Sequence, residues 1–174
     1  MAYIGFPSRI QPYPAKGKPG DKATLNPVVY TDRNYIAGDD TVTVGNFVWA
    51  DPANPDPPDY HGSGVLDALS SGGEGVQPVG IVENTLTFVN NDLRGNGTLI
   101  VPKGANLSTV RRGDLYVFAS TAAVAGQKVY ATLADGSIQT DAAGEEIDGA
   151  VETPWVVMEG GAAGELITIS NWSA

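Results

Sequence analysis

One histidine, His61, stands near Asp51, Asp56 and Asp59, and imidazole beside carboxylates is the raw material of a metal site or an acid–base pair. The spacing does not sustain that chemistry. Transition-ion sites draw on several His or Cys ligands at set intervals, and the run Asp51-Pro52-Ala53-Asn54-Pro55-Asp56-Pro57-Pro58-Asp59 is too poorly ordered to preset a geometry. Calcium would accept the oxygen ligands alone, yet the glycine-centred loop of a calcium hand is absent. Glu145-Glu146 is a carboxylate pair whose members, in an extended chain, point to opposite faces and share no cleft. The pieces Gly72-Gly73-Glu74-Gly75 and Gly160-Gly161-Ala162-Ala163-Gly164 lack the lysine and following hydroxyl of a phosphate-binding loop and read as turns. Trp49, Trp155 and Trp172 could form a sugar-stacking platform, but each lies in or at the end of an apolar strand pattern, which favours core or interface packing. The sequence therefore predicts no catalytic residue, no cofactor and no metal.

What must hold these residues in place is a succession of strands. Residues 128–133, 154–158 and 165–169 are apolar runs separated by glycine-bearing turns, as strands require. Residues 26–30 and 41–50 predict the first strands of the body. In the second of these, Val42 and Val44 share one parity and Phe47 and Trp49 the other, so a bulge or tight turn is expected at Gly45-Asn46. Strands resume at 78–82, Leu86 and Phe88 alternate with threonines, and Asn96-Gly97 and Asp135-Gly136 are two-residue hairpin signals. Residues 115–118 are apolar on both parities, the pattern of a central strand covered on both faces. No amphipathic helix of ten or more residues is evident. The fold class expected is all-β, an antiparallel sandwich, jelly roll or barrel.

Two segments break the regularity. Residues 51–75 read as a long surface excursion in which only residues 65–69 could form a helical turn or short strand. Residues 1–24 form an arm: Arg9, Lys16, Lys18 and Lys22 precede or flank the first acidic residue, Asp21, while Tyr3, Phe6 and Tyr13 stand among four prolines that keep the backbone extended. Such an arm could anchor to an acidic, partly apolar surface, or be a floppy terminus or an edge strand folded onto its own acidic body. The remainder, 25–174, is expected to be a single β-rich domain.

Composition narrows the function. The 174 residues carry Lys+Arg 10 against Asp+Glu 20, a net charge of −10. That balance argues against nucleic acid, whose phosphates need clustered cations; the adjacent pair Arg111-Arg112 reads as a solvated loop feature. With no cysteine, disulfides and thiolate chemistry are excluded. No run approaches the ~20 apolar residues of a membrane helix and the N-terminus has no secretory pattern, so no membrane partner is expected. Charged residues are 17% against the ~25% of average domains, in keeping with an all-β chain whose surface is partly covered.

The order of short phrases is informative as a whole. Pro19-Gly20-Asp21 leads to Gly45-Asn46-Phe47-Val48-Trp49, Pro78-Val79-Gly80-Ile81-Val82, Gly97-Thr98-Leu99-Ile100-Val101 and Arg112-Gly113-Asp114-Leu115-Tyr116-Val117. Then come Ala125-Gly126-Gln127-Lys128-Val129-Tyr130, Asp135-Gly136, Ile147-Asp148-Gly149-Ala150 and Gly164-Glu165-Leu166-Ile167-Thr168-Ile169. This order, from about Pro19 onward, resembles the structural cement, or capsid decoration, proteins of tailed bacteriophages. The resemblance implies a β-rich homo-oligomer, dimer or trimer, made in the host cytoplasm and bound to the outer capsid surface of the virion. There it would bridge subunits of the major capsid protein, without enzymatic activity. The arm residues Tyr3, Phe6, Arg9, Tyr13, Lys16 and Lys18 are the expected capsid or intersubunit contacts. The alternative is a carbohydrate-binding or adhesive β-module of a virion; an enzyme, such as a metal-assisted hydrolase centred on His61, comes third.

Overall fold

The computed structural model describes residues 16–39, 41–53, 65–85 and 99–172. Among them there is no helix, and twelve strands build two sheets: β1 (Val29–Tyr30), β2 (Asn34–Ala37), β3 (Phe47–Ala50), β4 (Val65–Leu69), β5 (Gly80–Val82), β6 (Asn106–Leu107), β7 (Thr109–Arg112), β8 (Asp114–Phe118), β9 (Lys128–Thr132), β10 (Ile138–Asp141), β11 (Ala150–Glu159) and β12 (Leu166–Ser170). A five-stranded sheet runs β10-β9-β11-β12-β8 and a seven-stranded sheet runs β1-β7-β5-β3-β4-β2-β6. The all-β class expected from the sequence is what the chain adopts.

Alternation explains the first core. Leu115 and Val117 on β8, Ile167 and Ile169 on β12, Trp155 and Val157 on β11, and Val129 and Ala131 on β9 are each 2% exposed or less, and period-two spacing sends them to one face. That face meets Phe47, Trp49, Ile81 and Val110 of the seven-stranded sheet. The opposite face of the seven-stranded sheet has its own core, where Val48 and Val82 join Val42, Val44, Tyr35, Ala37, Leu66, Ala68, Val101 and Leu107. The parity change between Val44 and Phe47 is therefore no defect: β3 is apolar on both sides because it separates two cores. The turn expected there forms at Gly45, with φ 85 and Asn46 N donating to Thr43 O at 3.2 Å.

Three expectations need correction. Residues 115–118 form an edge strand rather than a central one. Residues 20–23 lie along the free edge: Gly20 N donates to Tyr116 O at 2.7 Å, Tyr116 N to Asp21 O at 2.9 Å and Ala23 N to Asp114 O at 2.9 Å. Only the inward parity is buried, and Phe118 is half-exposed. Second, the 51–75 stretch is not all surface excursion, since its residues 65–69 are the internal strand β4, parallel to β2 and antiparallel to β3, with Leu66 and Ala68 in the second core. Third, Arg111 and Arg112 end strand β7 instead of sitting on a loop. Leu86, Phe88, Asn96 and Gly97 lie outside the described residues.

The Asp135-Gly136 hairpin forms between β9 and β10 with a turn longer than two residues, Gly136 N donating to Thr132 O at 2.9 Å. Its tip has a second task. Phe47 N donates to Gly136 O at 2.9 Å and Asn46 Nδ2 to Asp135 O at 3.2 Å, so the tip of one sheet's hairpin caps the start of the other sheet's central strand. With φ +67 and the Phe47 carbonyl where a Cβ would stand, position 136 accepts only glycine without rearrangement.

Candidate functional site

The residues that suggested chemistry are either structural or outside the described region. His61, Asp56 and Asp59 lie outside it, and Asp51 accepts Ala53 N at 2.8 Å in a local turn. Among the described residues no group of three or more His, Cys, Asp or Glu could hold a metal ion. Glu145 and Glu146 are exposed beside a recess that includes Tyr130 and Glu152. The polar groups of this recess hold the loop after β10: Tyr130 Oη donates to Ala142 O at 2.7 Å and to Glu152 Oε2 at 3.1 Å, and Gly144 N donates to the same carboxylate at 2.7 Å. Burial, then the Glu152 carboxylate, push the Tyr130 phenol above its ordinary value, so it stays a neutral donor. Trp49 and Trp155 are core residues at 2% exposure, and Trp49 Nε1 donates to Val76 O at 2.9 Å. Neither can stack on a sugar.

Of the expected contact residues, Tyr3, Phe6, Arg9 and Tyr13 lie outside the described residues. Lys16 and Lys18 are at the arm's root. Lys16 Nζ pairs with Glu159 Oε1 of β11 at 2.6 Å, both side chains about half-exposed, and Gly17 sits against the Tyr116 ring of β8. Lys18 N donates to Asp21 Oδ2 at 2.8 Å, and Asn84 anchors the other carboxylate oxygen at 2.8 Å. The segment from Lys16 to Ala23 is thus laid on the body, with Lys16 and Gly17 against the outward row Tyr116, Thr168 and Glu159, which register aligns across β8, β12 and β11.

A second exposed surface begins just after the root, and no sequence pattern singled it out. Leu25 is 105% exposed, whereas the next most exposed large apolar residue among the described ones, Val124, is 64%. The residues on both sides of Leu25 are tied through their side chains to one carboxylate. Asp114 Oδ2, on a residue only 6% exposed, accepts Thr24 Oγ1 at 2.6 Å and Asn26 Nδ2 at 2.6 Å, and Asn26 N donates to Thr24 Oγ1 at 3.1 Å. Burial alone would raise the Asp114 carboxyl, but hydrogen bonds from Ser170, Thr24 and Asn26 outweigh it and hold the group below its ordinary value. It remains charged at neutral pH and keeps the clamp closed.

Val29 and Tyr30 of β1 continue this surface, 45% and 43% exposed. Tyr30 Oη donates to Glu83 Oε1 at 3.1 Å, and Lys22 Nζ lies 3.4 Å from the same carboxylate; the Tyr30 hydroxyl first, then Glu83, raise the lysine further above its usual range. On the paired strand, Val29 faces Arg112 across the ladder. Arg111 and Arg112 make no ion pair among the described residues; the Arg112 guanidinium lies 4.5 Å over the Trp172 ring. Both arginines and Val29 rim a groove of about 690 Å³ whose lining includes Pro78, Phe47 and Trp155.

Comparison with known proteins bears on the whole chain. It matches, over residues 6–171, the family described as "structural cement protein (E217 gp24/Pam3 gp6)". Among solved structures it superimposes on a chain from "The capsid of Myoviridae Phage XM1" with a TM-score of 0.60 at 16% identity, covering 97% of this chain and 98% of that one. No curated protein matches. At that identity the structural likeness speaks for the fold.

Proposed function

The chain belongs to the structural cement protein family of bacteriophage capsids, and from that membership we propose that it binds the outer capsid surface and bridges neighbouring subunits of the major capsid protein, with no covalent bond made or broken. The family match over 166 of the 174 residues, 6–171, carries this reading. Among the described residues, Tyr130, Glu152 and two of the three tryptophans are tied into core or loop structure. A ligand that engages only the assembled lattice stabilises that lattice by mass action, and many copies multiply a modest affinity.

The basic, aromatic arm is our first contact element, and homo-oligomers, dimers or trimers, are the expected unit. Because Lys16 pairs with Glu159 and Gly20, Asp21 and Ala23 are hydrogen-bonded to the body, the arm is best tested by deleting residues 1–15 and keeping Lys16 onward. Capsid shells assembled without the protein are to be mixed with the full chain or the deletion, sedimented and heated. The full chain is expected to co-sediment and to raise the temperature of shell disruption, and the deletion to lose much of both. Equal shell heat resistance with and without bound full chain would overturn the cement reading; an unimpaired deletion would overturn only the arm's part in it. Native mass measurement gives the oligomer number.

A further inference from the structure

The surface formed by Leu25 and the β1–β7 edge combines two properties that folding alone does not explain. Burying a leucine is worth roughly 1.5–3 kcal/mol, yet Leu25 is completely solvated while the side chains of both its neighbours, Thr24 and Asn26, are hydrogen-bonded to Asp114. Ordering an apolar side chain's backbone in advance removes an entropy cost from later association, and rigid apolar side chains that enter pockets are how interfaces concentrate their energy. Second, in a molecule with twice as many acids as bases, Arg111 and Arg112 both line one groove with no carboxylate partner among the described residues, Arg112 resting on the Trp172 ring. They rim a groove that continues from Val29.

We infer that this edge is a docking surface for the capsid subunit, with Leu25 as a preformed knob for an apolar pocket and Arg111 and Arg112 as the complement of carboxylates around that pocket. The inference rests on the capsid-binding reading and adds where on the body the subunit sits. Charge complementarity selects the partner chemistry: guanidinium groups prefer carboxylates with bidentate geometry, so the facing surface is acidic and apolar. Exposed Val124 is held at its backbone by Gln127, but neither it nor exposed Met158 is accompanied by an arginine pair.

The test uses full-length Leu25→Asp, Arg111→Glu/Arg112→Glu and, as control, Val124→Asp, titrated against shells assembled without the protein, at low and high salt. Each variant is first compared with the parent chain for thermal unfolding and native mass. Leu25→Asp is expected to fold with unchanged mass and to bind shells about tenfold or more weakly, the range of a central anchor. The double arginine variant is expected to bind more weakly and to flatten the salt dependence, while Val124→Asp binds as the parent does. Undiminished binding by Leu25→Asp, or an equal loss in Val124→Asp, would overturn the assignment. So would a changed native mass for Leu25→Asp, because the surface would then belong to a second copy of the chain. If the parent itself failed to bind shells, the broader reading would fall first, an outcome separate from these.

Discussion

The two sheets are built by different rules. In the five-stranded sheet every pairing is antiparallel, and β9 and β10 are joined by a short turn. Its inward face reads off period two. The seven-stranded sheet is assembled from strands of two to five residues, includes the parallel pair β2–β4, and takes its neighbours from distant parts of the chain. The first sheet is specified largely by local pattern. The second exists because two cores need a common wall, and its strands, bearing apolar residues toward both, serve as that wall. Non-local pairing incurs loop-closure entropy before its contacts form, so the seven-stranded sheet should depend on the five-stranded one as a template.

The hairpin tip at Gly136 is where that dependence can be broken most severely. Gly136→Val, colliding with the Phe47 carbonyl at a positive φ, is expected to cost about 3 kcal/mol or more. Gly164→Ala, at φ +79 with open space around it, is expected to cost about 1 kcal/mol. Chemical denaturation of both measures this; equal costs would mean that the tip does not couple the sheets.

Acid titration sharpens the comparison at a smaller scale, because among the described residues two carboxylates, one beside each sheet, are held below their ordinary value. At Asp39, burial opposes and hydrogen bonds from Thr41 and Ser70 prevail, tying the end of β4 to the turn before β3. Asp114 does the same for β8 and the Leu25 loop. A folded-state value below the unfolded one contributes stability that is complete above the unfolded value and is lost as pH falls through the folded value. The melting temperature is therefore expected to decline from about pH 3.8 downward. Asp114→Asn and Asp39→Asn should each flatten that decline and cost about 1–2 kcal/mol at neutral pH through lost hydrogen bonds. A decline unchanged in both variants would place the acid sensitivity elsewhere. Smallest of all, Lys16→Ala removes an ion pair with both partners half-exposed, and should change unfolding free energy by about 0.5 kcal/mol or less. A larger loss would make the arm's root part of the five-stranded sheet.

The same contrast governs what could be read from the amino acids. Residues 128–133, 154–158 and 165–169 alternate cleanly and became β9, β11 and β12, and the Gly45 turn followed from a change of parity. Val65 to Leu69 gave too short an apolar run to reveal an internal strand, since its partners β2 and β3 lie 14 or more residues away in sequence. Leu115 to Phe118 misled because apolarity on both parities also arises when one outward residue is covered by glycine and another is left half-exposed. Lys16 and Lys18 were legible as cations, but not their attachment, which needs Glu159 and Asp21 in place. Leu25 gave no signal at all: one leucine between polar residues is unremarkable until Asp114, 89 positions later in the sequence, closes on its neighbours.

The seating of Lys16 and Gly17 on β11 and β8 has a geometric corollary. A fully stretched chain advances at most about 3.6 Å per residue, so Tyr3 lies within roughly 50 Å of Lys16. Any partner that the proposed arm contact engages through Tyr3 must present its surface inside that radius.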